Sequence, residues 1–193
     1  MTSTLMHNMV ASYKRTVAPT LLPVTVDELK DELDILDDTS MDARLTDLLW
    51  EATERVETDT NRLIMSQTWQ MYLDRFPCDE IVIRKVPISA VSFVKYVTGG
   101  VLTTFSSASY QTDLISEPCR IDPVSGSAWP STDSGYMNAV LVEFVAGYAS
   151  ASVVPRNVKS AVKYAAKQAY YGCDAGENYL PLVNRLRYDG WVT

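Results

Sequence analysis

Hydrolytic or group-transfer chemistry needs a nucleophile with a general base in hydrogen-bond reach. The chain supplies one imidazole, His7, in a stretch that reads as an irregular arm, so a Ser/His/Asp triad has no base near a core. Carboxylates are plentiful between residues 27 and 38, where Asp27, Glu28, Asp31, Glu32, Asp34, Asp37 and Asp38 cluster. In that density they could hold a divalent cation or act as an acid/base pair. They lack the ordered Asp, Asn and Gly spacing of a calcium loop, so helix capping and solvation are favoured. Cys78, Cys119 and Cys173 are odd in number and widely spaced, which argues against a disulfide framework and fits a reducing cytosol. With no CxxC and no HExxH a zinc site lacks ligands, and the thiols are expected free and buried. Neither GxxxxGK[ST] nor GxGxxG occurs, which removes the simplest nucleotide-binding readings. The expectation is a chain without catalytic residues, cofactor or metal.

Charge is the stronger signal. The net charge is -7, and between residues 25 and 60 thirteen acids face only Lys30, Arg44 and Arg55, a local charge of -10. From residue 150 onward the sign reverses: Arg156, Lys159, Lys163, Lys167, Arg185 and Arg187 outnumber Asp174, Glu177 and Asp189. The asymmetry points to complementary faces for self-association or a partner, set against the plain alternative of solvated faces. Lys159, Lys163 and Lys167, spaced by four, form a basic ridge with Tyr164, Tyr170 and Tyr171 close by. Such a ridge could contact phosphates and stack bases, but the acidic total opposes tight nucleic-acid binding.

These groups have to be positioned by a core, and 193 residues with 47% hydrophobic and 21% charged content suffice for one domain. No window holds the eighteen or more apolar residues of a membrane-spanning helix, and residues 1–23 lack the order of a signal peptide. Thr25-Val26-Asp27-Glu28 has capping-box spacing, predicting a helix over 25–36 with an acidic first turn suited to the helix dipole. Leu45, Leu48, Leu49, Ala52 and Val56 repeat at helical spacing in a second helix over 41–62, where Glu51 and Arg55 stand four apart as a candidate ion pair. From Gln67 the period falls to two, and residues 67–73, 81–84, 91–97, 110–114 and 139–145 read as short strands. Gly99-Gly100 reads as a tight turn, and Pro87 and Pro130 should sit at strand ends or edges. Val158, Ala161, Val162, Ala165, Ala166 and Ala169 then mark a third helix over 155–171, with Pro155 in its first turn. The prediction is an α+β fold: a small helical bundle around an antiparallel β region over 67–148, with an arm over 1–23, a main domain over 24–172 and a tail over 173–193.

The order of these pieces resembles the head-to-tail connector (adaptor) family of long-tailed phages and prophages. The similarity runs from Thr25-Val26-Asp27-Glu28-Leu29-Lys30 and Val56-Glu57-Thr58-Asp59-Thr60-Asn61-Arg62 through Gln67-Thr68-Trp69, Leu73-Asp74-Arg75-Phe76-Pro77 and Val86-Pro87-Ile88-Ser89-Ala90-Val91. It continues in Arg120-Ile121, Trp129-Pro130, Val142-Glu143-Phe144-Val145-Ala146-Gly147-Tyr148 and Val154-Pro155, covering about residues 25 to 171. Trp69, Pro87, Trp129, Pro130, Gly147, Tyr148 and Pro155 are its structural motif positions. After the last helix, Tyr170-Tyr171-Gly172-Cys173 departs from the basic and acidic residues the family often carries there.

The resemblance implies a non-enzymatic virion protein that forms a ring, usually of twelve copies, beneath the portal of a DNA-filled head. It would join the portal to a downstream neck or tail protein, with DNA passing in transient non-specific contact and no membrane involved. A tail-completion or neck protein that binds the adaptor, and a DNA-binding accessory protein, are the competing readings. In this frame Tyr179, Leu180, Leu182, Val183, Arg185, Leu186, Arg187, Tyr188 and Trp191 form a tail expected to dock on the portal, since aromatic, apolar and arginine side chains anchor interfaces. Its alternative is a tail folded onto its own subunit. Asp31, Glu32, Asp34, Asp37 and Asp38 are candidates for a DNA-channel wall or a subunit interface, and Lys159, Lys163 and Lys167 for a basic interface.

Overall fold

The structure, a computed structural model, describes residues 11–35, 39–172 and 179–189. Its architecture is α+β, as expected, and the chain divides into a β unit and a helical unit. Of the described residues, 11–17, 68–84 and 88–145 build the β unit; 18–35, 39–67, 85–87, 146–172 and 179–189 build the helical one.

The β unit holds two sheets. Strands β1 (Ser12–Val17), β2 (Gln67–Leu73), β4 (Ile88–Thr98), β5 (Val101–Phe105) and β8 (Val140–Ala146) form a five-stranded sheet in the order β1-β2-β8-β4-β5. Strands β3 (Ile81–Ile83), β6 (Tyr110–Asp113) and β7 (Cys119–Pro123) form a three-stranded antiparallel sheet in the order β3-β7-β6. The central strand β8 shows why the alternation was readable: Val140, Val142, Phe144 and Ala146 are fully buried, while Leu141, Glu143 and Val145 are partly exposed. Gly99 and Gly100 make the β4–β5 turn with φ of 59° and 74° between the paired Thr98 and Val101, a turn that needs positive φ at both positions.

Two differences from the sequence reading concern this unit. Residues 12–17 are not an irregular arm but the edge strand β1, paired antiparallel with β2 from Ser12 opposite Tyr72. Nearly every β1 residue is exposed, so the strand carries no buried/exposed alternation for a pattern to detect. Strands β5 and β7 also went unread. The first is an exposed hairpin arm, and the second places only Cys119 and Ile121 inward.

The helical unit comprises α1 (Val26–Leu33), α2 (Asp42–Thr60), α3 (Arg156–Tyr171) and α4 (Tyr179–Leu186). The capping box forms at α1: the Glu28 amide donates to the Thr25 hydroxyl (3.1 Å), and the Thr25 amide donates to the Glu28 carboxylate (2.9 Å). That backbone hydrogen bond from Thr25, aided by Lys159, holds the Glu28 carboxyl below its usual pKa, against a smaller opposing effect of burial. Thr25→Ala removes one half of the box and should lower unfolding free energy by about 1 kcal/mol. Urea denaturation checks this, and an unchanged midpoint would show that the cap contributes nothing.

Leu45, Leu49, Ala52 and Val56 of α2 face Ala161, Val162, Ala165 and Ala166 of α3 in one core, the small alanines allowing close approach. Pro155 caps α3, its carbonyl accepting from the amides of Val158 (3.0 Å) and Lys159 (3.1 Å). At the foot of the unit, residues 64–66 run beside Gly147-Tyr148 as a parallel bridge. The Tyr148 amide donates to the Ile64 carbonyl (2.8 Å), the Ser66 amide to the Tyr148 carbonyl (3.0 Å) and the Gly147 amide to the Pro87 carbonyl (2.8 Å).

Candidate functional site

The basic ridge and the acidic first helix turn out to be partners. Lys159 reaches Glu28 (3.5 Å) and Lys167 reaches Glu32 (3.4 Å), while Lys163 adds its field at Glu28. Lys30, almost fully buried, pairs with Asp42 at the start of α2. Much of the charge asymmetry read as a signal for self-association is thus satisfied inside one subunit, because α3 packs across α1. Asp31 and Asp34 remain exposed beyond these pairs. Asp37 and Asp38, like His7 and Trp191, lie outside the described residues.

The tail also departs from its expectation as a segment whose apolar residues await a partner. Tyr179, Val183, Leu186 and Tyr188 are buried in the helical unit. The Tyr179 hydroxyl donates to the Asp59 carboxylate (2.6 Å) under the Arg55 guanidinium, which lies 4.9 Å from the ring centroid. Arg62 Nε donates to the Leu186 carbonyl (2.8 Å), the Asn61 side-chain amide to the Tyr188 carbonyl (3.3 Å) and the Tyr188 amide to the Thr60 carbonyl (2.8 Å). The expected Glu51–Arg55 pair is not made; Arg55 turns the other way, toward Asp59 (3.7 Å) and Tyr179. On its outward side α4 presents Leu180, Pro181, Asn184 and Arg185 and, just beyond it, Arg187, with Leu182 half-buried.

Trp129 stacks on Phe76 (centroids 4.8 Å apart) and donates its indole N–H to the Asp79 carbonyl (2.7 Å), anchoring an aromatic group that includes Phe105 and Tyr96. Trp69 lies on β2 opposite Arg15, and Pro87 precedes β4 and accepts from Gly147. Pro130 lies outside the strands.

Sequence reading missed a surface at the β4–β5 tip. The amides of Gly99 and Gly100 donate to the two carboxylate oxygens of Asp133 (3.0 and 2.6 Å), pinning a second segment to the hairpin. Exposed Val101 and Leu102 on the hairpin and Tyr136 and Met137 on that segment result. The signal was available only as an acid far along the chain from a Gly-Gly pair, which no local pattern joins.

Chemistry at the thiols follows burial. Cys78 is exposed, contrary to expectation, because it lies in the loop between β2 and β3. Cys119 is buried on β7, and burial, with some help from the Asp113 charge, pushes its pKa up to about 11. Since the thiolate is the nucleophile, iodoacetamide at pH 8 should label Cys78 in the native protein and leave Cys119 unmodified. Peptide mass spectrometry reads the outcome, and equal labelling would contradict the burial of β7. Among the described residues no three His, Cys, Asp or Glu side chains group to hold a metal ion, and no helix is long and apolar enough to cross a membrane.

The fold has solved counterparts. A chain in the neck of the empty gene transfer agent particle, computed with C6 symmetry, matches with TM-score 0.74 and 24% identity over 91% of this chain and 95% of that one. A chain in the virion of the native gene transfer agent particle matches with TM-score 0.75 and 22% identity over 91% and 94%. A chain in the neck of the native particle, computed with C12 symmetry, matches with TM-score 0.68 and 25% identity over 93% and 95%. This protein has their fold. No family model and no curated protein matches the sequence.

Proposed function

We propose that this chain is a structural component of the neck of a phage-type particle: a head-to-tail connector that forms a ring under the portal and joins it to the next neck or tail protein. The observation that carries this reading is the shared fold over nearly the full length of chains from gene transfer agent necks, one of them in an assembly computed with twelve-fold symmetry. The described residues of the tail pack on the helical unit, so portal docking falls to the outward Leu180, Arg185 and Arg187, with half-buried Leu182 beside them. Exposed Asp31 in α1 and Asp34 just after it are available to repel the phosphates of passing DNA.

Deleting the gene and imaging the particles tests the role. DNA-filled heads without tails are expected, with the chain present in purified wild-type particles by mass spectrometry; normally tailed particles would reject it. At the docking face, Leu180→Glu with Arg185→Glu should weaken portal binding at least tenfold with an unchanged melting temperature, since both side chains are exposed. Undiminished binding would move the portal contact elsewhere.

A further inference from the structure

We propose that the outward acidic stripe of α2 docks on the basic edge strand β1 of a second copy of this chain, an inference that rests on the reading of the protein as a ring-forming neck component. The buried residues of α2, Leu45, Leu49, Ala52 and Val56, define its inward side. At about 100° per residue, Asp47, Glu51 and Glu54 fall on the opposite side within an arc of about 60°, and all three are exposed. The cations that could neutralise them are engaged elsewhere. Arg55 is held by Tyr179 and Asp59, Arg44 lies over the Tyr170 ring at 5.7 Å, and Lys159 and Lys167 serve α1. Among the described residues none of the three acids has an ion-pair partner. Like charges three and four apart weaken a helix by a few tenths of a kcal/mol per pair. The stripe therefore persists as a small destabilisation in the isolated subunit, which a cationic partner relieves.

The matching surface is β1, the outer strand of its sheet. Lys14 and Arg15 are exposed, and no described carboxylate lies within ion-pair distance of either. Successive strand residues point to opposite sheet faces, so the two cations straddle the edge. An acid row laid along that edge meets both of them and can also accept from its open amides. The register between β1 and β2 breaks between Arg15 and Val17, and a bulge with adjacent charges disfavours pairing with another strand. A helix offering side-chain acceptors suits this edge better.

A second copy is the occupant because both halves stand on one chain in equal number, and two different surfaces that meet head to tail close into a ring when the rotation permits. With a net charge of -7, copies repel one another unless local complementarity brings them together.

The test mixes unlabelled and 15N-labelled full-length protein, applies a zero-length carbodiimide cross-linker and reads the products by mass spectrometry, beside native mass spectrometry of assembly. Mixed-isotope links from Lys14 to Asp47, Glu51 or Glu54 are expected. Lys14→Glu with Arg15→Glu should reduce the assembled fraction at least tenfold, as should Glu51→Lys with Glu54→Lys, and all four substitutions together should restore it. Circular dichroism melts confirm that each variant is folded. Rings that form with Lys14 linked elsewhere, or that ignore the reversals or are not restored by the combination, overturn this interface and leave the neck reading intact. Absence of mixed-isotope links because the chain stays monomeric also overturns it, while the neck role is judged separately by particle composition.

Discussion

Gly147→Ala is expected to lower the unfolding free energy by about 4 kcal/mol or more, a large share of the roughly 5–15 kcal/mol that holds a domain folded. Gly147 has φ of 96°, a conformation that side-chain-bearing residues rarely adopt, and a Cβ there would lie 2.3 Å from the Met65 carbonyl oxygen and 2.5 Å from its carbon. Those atoms are backbone of the buried Met65, so no flexible side-chain end can move aside. Residues 64–66 would have to shift, and with them the hydrogen bonds from Tyr148 to Ile64 and from Ser66 to Tyr148. Gly126→Ala is the control. Its φ is similar at 84°, but nothing lies within 4 Å of the added carbon, so only the backbone preference of about 1–2 kcal/mol is lost. Guanidinium unfolding of the two variants separates close approach from conformation. Equal losses would show that the Met65 backbone yields to the methyl group.

The fold was legible wherever one face of an element is buried. The inward stripe of α2, the alternation of β8 and the capping box of α1 all leave a periodic or local chemical trace, and their boundaries fall within a few residues of expectation. Strand β1 leaves none, because an edge strand exposed along most of its length resembles a loop in composition. Residues 81–123 were read in part because the three-stranded sheet is built from strands of three to five residues, too short to accumulate a period.

Surface roles were harder to read, since they depend on which charges neutralise one another across the fold. A ridge of lysines and a run of acids can be seen in sequence, but that Lys159 and Lys167 meet Glu28 and Glu32 follows from how α3 lies on α1. Helical spacing alone pairs Glu51 with Arg55. The tertiary position of Tyr179 draws Arg55 away and leaves the α2 acids open. The same packing decides the tail. Its aromatic and apolar content was visible, whereas the split into buried Tyr179, Val183 and Leu186 and outward Leu180 and Arg185 required the groove they fill.

Tyr179 is the residue on which that division turns. Its ring is buried, so Tyr179→Ala should destabilise the helical unit by about 3–5 kcal/mol through lost burial and the cavity left behind. On the proposed portal docking, it should also weaken that binding, because Leu180 and Arg185 lose the scaffold that presents them. Tyr179→Phe keeps the ring and removes only the hydroxyl. The Asp59 carboxylate is partly exposed and water can replace the lost donor, so the expected change is about 1 kcal/mol. Titration tells the two contributions apart. Burial first, then the Asp59 hydrogen bond and charge, raise the phenol pKa above its ordinary value near 10, against a smaller opposing effect from Arg55. An acid whose pKa is raised on folding contributes stability that is fully present below the unfolded-state value and fades as pH climbs through the folded one. The advantage of wild type over Tyr179→Phe should therefore hold at pH 8 and narrow above about pH 10, where unfolding releases the phenol's proton. Urea unfolding of both proteins at pH 8 and 10.5 measures this difference. A gap that stays constant would mean that the phenol titrates alike in the folded and unfolded protein, and so is neither buried nor held against Asp59.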